Sequence, residues 1–157
     1  MLKKYLFIFF LSMVPIIELR GAIPFAVNWE LDYWTALTVC AIGNMLPVPF
    51  IYFFARKILH WGADKKYIGK FFRFFIEKGE RGGQKLTARA GRGGLFVALM
   101  LFVGIPVPGT GAWTGTLAAS FLNMGIRSTV TAVSLGVVIA GIIMGVASTG
   151  VFSIFGI

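Results

Sequence analysis

A chain of 157 residues that is 57% hydrophobic, with a mean hydropathy of +0.83, lies outside the range of soluble globular domains and reads as one integral membrane unit. Its net charge of +9 is local, because eleven of the fifteen Lys and Arg fall between Arg56 and Arg92; that suits a loop against anionic headgroups on the cytoplasmic face and argues against a nucleic-acid surface. A single Cys40 and a single His60 without neighbours at ligand spacing exclude an internal disulfide and leave metal and thiol chemistry without a residue set.

Lys3 and Lys4 precede thirteen uncharged residues, Tyr5 to Ile17. As a helix they reach roughly 20 Å, short of a hydrocarbon core of about 30 Å. The run PIIELRGAIP, Pro15 to Pro24, then places Glu18, Arg20 and Gly21 between two prolines at membrane depth, where charge is costly. A second short apolar piece, Gly21 to Trp29, follows before Glu30 and Asp32. Two short limbs around a Pro/Gly turn predict a re-entrant hairpin. One kinked span from Tyr5 to Val27 is the competing arrangement. A secretory signal shares the outline, but no small-residue cleavage site follows.

Tyr33 to Ala55 supplies 23 uncharged residues, opened by Tyr33 and Trp34 and closed by Arg56 and Lys57, with Pro47 and Pro49 bending its later part. It is expected to be a full transmembrane helix. In the basic segment, YIGKFFRFFIEK from Tyr67 to Lys78 repeats Ile68, Phe71, Phe72, Phe75 and Ile76 near helical spacing, which predicts a cytoplasmic amphipathic helix in the interface. Gly79, Gly82 and Gly83 are expected to turn the chain, and QKLTARA to form a short helix ending at Gly91, Gly93 and Gly94.

Gly93 to Ile126 holds 34 uncharged residues, too many for one upright span and too few for two with a turn. Its centre, GIPVPGTGAWTG, packs two prolines and four glycines between Gly104 and Gly115, so a second re-entrant hairpin is expected. After Arg127 come 30 uncharged residues, Ser128 to Ile157, the second full span. ELRGA (Glu18 to Ala22) falls over PGTGA (Pro108 to Ala112) at an offset of ninety, and TALTV (Thr35 to Val39) over TVTAV (Thr129 to Val133) after a four-residue gap.

The expected fold is therefore an all-α integral membrane protein, an inverted repeat of re-entrant hairpin plus transmembrane helix. Repeat 1 covers 1–57, a basic amphipathic linker 58–92 and repeat 2 93–157. If each half crosses the membrane an odd number of times, both termini lie outside and the basic loop inside. A true first span would instead put the amino terminus inside, in better accord with Lys3 and Lys4.

Glu18 and Arg20 are the strongest candidates for chemistry. An unwound turn can bring them together or aim both into one cavity; Glu18 can exchange a proton and Arg20 can bind a phosphate or carboxylate. A buried ion pair that merely locks the turn is the structural alternative. The opposing turn, with Pro106, Pro108, Gly109, Thr110, Gly111 and Trp113, offers backbone NH groups, hydroxyls and an indole, and half-helices meeting at midplane would favour an anion. Glu30, Asp32 and Arg127 sit at segment edges, suited to interfacial anchoring or gating. No nucleophile and base pair, nucleotide loop or metal cluster presents itself, so no enzymatic activity and no cofactor are expected.

ELRGAIP and GIPVPGTGAWTG, with a basic amphipathic loop between them, resemble the small multidrug export family of bacterial and archaeal membrane proteins, over nearly the whole chain. That family in turn is similar to the DedA/VTT superfamily, whose re-entrant hairpins in inverted repeats include lipid-carrier flippases and scramblases. The resemblance implies that Glu18, Arg20 and Pro106 to Gly111 line a substrate path. The expected function is a multi-pass, inner- or plasma-membrane secondary transporter, a homodimer moving an anionic substrate such as a lipid phosphate under proton or ion coupling. Proton-coupled export of cationic amphipathic drugs and a scramblase-like membrane scaffold are the alternatives.

Overall fold

The computed structural model describes residues 1–15, 17–107 and 110–155. Among them the chain forms seven helices and no strand: α1 Leu2–Met13, α2 Glu18–Asn28, α3 Tyr33–Met45, α4 Pro47–Ala63, α5 Gly69–Gly104, α6 Ala112–Phe121 and α7 Ile126–Phe155. The side chain of Phe75 and the turn residues Pro108 and Gly109 lie outside the described residues.

Local chemistry sets the boundaries. Val14 precedes Pro15 and takes the extended conformation (φ −71°, ψ 129°) that a following proline imposes, which ends α1. α2 turns back along α1 and does not continue it. Lys4 Nζ donates to the Trp29 carbonyl at 3.4 Å, and the Phe7 ring lies 5.9 Å from Phe25 and 5.3 Å from Trp29. The kinked continuous span is thereby excluded. At 12 and 11 residues, α1 and α2 are each about 17 Å long.

α2 and α6 stop in the same way. Glu30 (φ 55°) and Asn123 (φ 57°) adopt the left-handed conformation one residue past the cap. The amides of Glu30 and Leu31 donate to Val27 and Ala26, each at 3.0 Å, and those of Asn123 and Met124 to Ser120 (3.3 Å) and Ala119 (3.0 Å). Both patterns are Schellman motifs. Each break is thus followed by a short helix with a Schellman end and then by a long apolar stretch.

The first long apolar stretch runs from Tyr33 to Ala63, 31 residues across α3 and α4, and the second from Ile126 to Gly150, 25 residues; both are long and apolar enough to cross a membrane. The first exceeds the expected Tyr33 to Ala55 because Arg56 does not end it. Pro47 takes the first position of α4, where a missing NH costs nothing, so the prolines divide the stretch at Leu46 without stopping it. Exposed Phe50, Phe53, Phe54 and Val146 give these helices the outer surface that a lipid solvent accepts.

The basic segment departs from expectation. No turn forms at Gly79, Gly82 or Gly83, and α5 runs through them to Gly104 with one break, at Gly91 (φ 69°, ψ 177°). A helical glycine costs only about 1 kcal/mol relative to alanine, and the amino-terminal arm of α5 is tied elsewhere. Arg73 Nε donates to the Ala63 carbonyl at 3.0 Å, and Glu77 pairs with Arg81 at 3.5 Å one helical turn on.

The two halves share one core, in which Ile8, Leu19, Ile23 and Cys40 meet Val103, Ala112, Val133 and Val137. In lipid such contacts are driven by close packing more than by water exclusion, so small residues carry much of the association. A Cβ on Gly136 would lie 2.7 Å from the Met100 carbonyl oxygen and 2.7 Å from Val103 Cβ, so α5 and α7 touch there through backbone. Gly136→Ala is therefore expected to destabilise the fold by about 1–3 kcal/mol. Gly93→Ala, where a Cβ meets nothing within 4 Å, should be neutral or stabilising. Thermal unfolding of the detergent-solubilised protein checks the contrast, and equal melting temperatures for the two variants would refute the close contact.

Candidate functional site

Glu18 and Arg20, just after the first Pro/Gly break, reach across to the residues that flank the second, and each supplies what the other side lacks. α6 begins at Ala112 after Gly111, whose φ of 150° and extended ψ suit glycine. Its first amides have no acceptor within the helix. The Glu18 carboxylate takes two of them, Oε2 from Ala112 N at 3.2 Å and Oε1 from Trp113 N at 3.0 Å. Glu18 is only 4% exposed, so the two charge-assisted bonds and the positive end of α6 are what offset its desolvation. A Cβ at position 111 would overlap that carboxylate, so glycine is required there twice over.

Arg20 answers the opposite end. Its Nη1 donates to the Val107 carbonyl at 2.6 Å, and its Nη2 to those of Val103 at 3.0 Å and Ile105 at 3.2 Å. These carbonyls belong to the last turn of α5 and the strand of chain beyond it, where helix polarity favours a cation. The planar guanidinium serves three acceptors at once, which a lysine ammonium on a single stem does poorly. A third contact runs the other way, with the Trp113 indole donating to the carbonyl of Met13, the last residue of α1, at 3.2 Å.

Glu18 and Arg20 therefore form no ion pair with each other. One fits the amide end of α6 and the other the carbonyl end of α5, and Glu18 sits at φ 51°, a left-handed conformation that costs a non-glycine residue about 1 kcal/mol or more. The amides that were expected to face an anionic ligand are filled by the protein's own carboxylate. Thr110 is likewise engaged, its hydroxyl donating to Val107 at 2.8 Å and Ile105 at 3.0 Å. Gly21 lies in the first turn of α2 against the Ile17 side chain, not in an unwound break, and Pro106 is half-buried between two of the carbonyls that Arg20 binds. Pro108 and Gly109 fall outside the described residues.

The remaining candidates sit elsewhere. Glu30 forms the Schellman end of α2. Asp32 caps α3, accepting from the Thr35 amide at 2.8 Å and hydroxyl at 2.6 Å, and these bonds hold its carboxyl below the ordinary carboxylate range. Arg127 stands in the first turn of α7. A second polar lock, not foreseen, closes the far end of α6. The Tyr52 hydroxyl donates to the Met124 carbonyl and accepts from Arg56 Nη1 at 3.1 Å, while Arg56 Nη2 donates to Asn123 Oδ1 at 2.6 Å. The Asn in LNMG was its legible signal, since asparagine is the usual substitute for glycine at a left-handed helix end.

Beside the tips, an apolar groove of about 300 Å³ runs between α4 and α6, lined by Ile51, Phe54, Ile58, Phe72, Trp113 and Leu117 among others. Trp113 belongs to both places. Its amide reaches Glu18 and its side chain borders the groove.

Glu18→Ala leaves two buried amides without a partner and is expected to lower stability by about 3 kcal/mol. Arg20→Lys keeps the charge but not the three-carbonyl geometry and should cost about 1–3 kcal/mol. Chemical or thermal unfolding in detergent checks both, and a Glu18→Ala protein as stable as the parent would mean that the carboxylate does not hold α6.

The model of a family described as "Putative small multi-drug export protein" matches residues 18–143, from the first residue of α2 through the second break and into α7. No curated protein and no solved structure matches the chain.

Proposed function

Because the chain belongs to the small multi-drug export family, we propose that it is a secondary transporter whose gate is the contact between its two Pro/Gly tips, and whose substrate is an amphipathic anion such as a lipid phosphate. The observation that carries this reading is the Glu18 carboxylate on the amides of Ala112 and Trp113. A site that holds a carboxylate through two amides at a helix start is chemically a site for a phosphate or carboxylate oxygen pair. An incoming anion takes the two amides, and the displaced Glu18 takes up a proton, so the buried charge at the tip is conserved. Anion and proton then travel together. The apolar groove beside Trp113 receives the hydrocarbon part of the same molecule.

In this reading α1 with α2, and the last limb of α5 with α6, are re-entrant hairpins. Support comes from their lengths, each shorter than a hydrocarbon core, and from the matching Schellman ends. The halves are inverted with respect to each other, as in DedA-like proteins, and two copies pair in the cell membrane to enclose the path. Arg20 holds the carbonyl end of α5 closed until the tips part.

Export of cationic amphiphiles is a second reading, favoured by the family's description. There a cation replaces the α6 amides at Glu18, and proton and drug compete for one carboxylate.

Reconstitution into liposomes with an imposed pH gradient tests both. A fluorescent lipid phosphate should move with the gradient, and Glu18→Gln should cut that flux by about tenfold or more, the loss of one charge-assisted contact. Movement of a cationic dye alone favours the second reading. Lipid movement that ignores both the gradient and Glu18→Gln marks a scramblase-like scaffold and overturns the first two.

A further inference from the structure

A cavity of about 930 Å³ lies at the opposite end of α6 from the tips, roofed by the amino-terminal arm of α5 and floored by the turn into α7. Its polar lining carries two guanidinium groups beside amide and hydroxyl donors. Gln84 and Arg92 come from α5, Asn123 from the turn, and Arg127 and Ser128 from the start of α7, with Glu80 the one carboxylate. Neither the Arg92 nor the Arg127 guanidinium makes a hydrogen bond or ion pair with another described residue; the ion pair on this arm is Glu77 with Arg81. The first amide of α7 to find an acceptor is that of Thr129, on Gly125, so those of Ile126, Arg127 and Ser128 are unused among the described residues. The Oδ1 of Asn123 is spent on Arg56, which leaves its NH₂ group as a donor.

Two free guanidinium groups and the free amides of Arg127 and Ser128, all on residues that line one space, lack acceptors, and oxygen-rich anions supply them. The Gly91 break places Arg92 there, because its φ of 69° turns the arm of α5 over the α6 to α7 turn. Leu95, Leu122 and Met124 make the wall nearer the membrane core apolar, and Tyr67, Phe71 and Phe74 stand exposed along the beginning of the arm, as residues at a headgroup boundary do.

We infer that this cavity binds the phosphate of an anionic lipid headgroup, gripped between Arg92 and Arg127 against the first turn of α7. The site is separate from the tips and does not depend on the transport reading. Bound there, one lipid joins the arm of α5 to α7 and fixes the hinge at Gly91.

The full chain in a neutral detergent, titrated with short-chain phosphatidylglycerol, phosphatidylcholine or inorganic phosphate while its melting temperature is followed, tests the inference. Phosphatidylglycerol should raise the melting temperature saturably, and the apparent affinity should fall by about tenfold or more in Arg92→Gln/Arg127→Gln. Lys70→Gln/Lys85→Gln removes the same amount of charge from the arm of α5 outside the cavity lining and should bind as the parent does. Equal weakening in the two double variants, or none in either, would overturn the site, the first by reducing it to general surface charge. Inorganic phosphate binding as tightly as the lipid, with the same dependence on Arg92 and Arg127, would keep the phosphate chemistry and overturn the lipid as its source.

Discussion

A helix end leaves amides or carbonyls without partners inside the helix, and four such ends flank the two breaks of this chain, at Met13, Glu18, Gly104 and Ala112. Each unpaired group would cost several kcal/mol in hydrocarbon. The structure closes three of the ends across the breaks, α6 through Glu18, α5 through Arg20 and α1 through the Trp113 indole. One acid and one base placed two residues apart in the first break thus serve helix ends of opposite polarity in the second. This explains why the first tip carries charge while the second, from Ile105 to Gly115, carries none.

The same economy bears on transport. A lock made from a carboxylate on two amides can be opened by whatever substitutes for either partner, a proton on the acid or an anion on the amides. The neighbouring apolar groove extends the choice to molecules with a hydrocarbon part. The far end of α6 is held by the rigid group Tyr52, Arg56, Asn123 and Met124, so α6 is fixed at one end and bound at the other through displaceable contacts. That asymmetry suits an element that moves at its tip.

Much of the architecture was readable from lengths. Runs too short to span, with Pro15 and Pro106 between them, announced broken limbs, whereas Pro24, read as the second edge of the first break, lies inside α2. Glu18 and Arg20 were recognisable because charge amid an apolar run demands partners, and Trp113 was noted only as an indole that the second turn offers. What those partners are was hidden, since carbonyls at Val103, Ile105 and Val107 and amides at Ala112 and Trp113 are common to every residue and acquire meaning only through the tertiary fold. The arm of α5 was misread for a different reason. Glycine is only mildly unfavourable in a helix, and Gly79, Gly82 and Gly83 are overridden where Arg73 on Ala63 anchors the segment, whereas Gly91 alone takes a conformation that other residues avoid.

Hydrogen–deuterium exchange at the backbone amides of Ala112 and Trp113 tests the central contact most directly, because nothing but the Glu18 carboxylate holds them in the described structure. Both should exchange slowly in the parent protein and faster by about tenfold or more in Glu18→Ala, while amides in the middle of α7 keep their protection. Exchange at the two positions that is unchanged by the substitution, or already fast in the parent, would contradict a carboxylate seated on the start of α6.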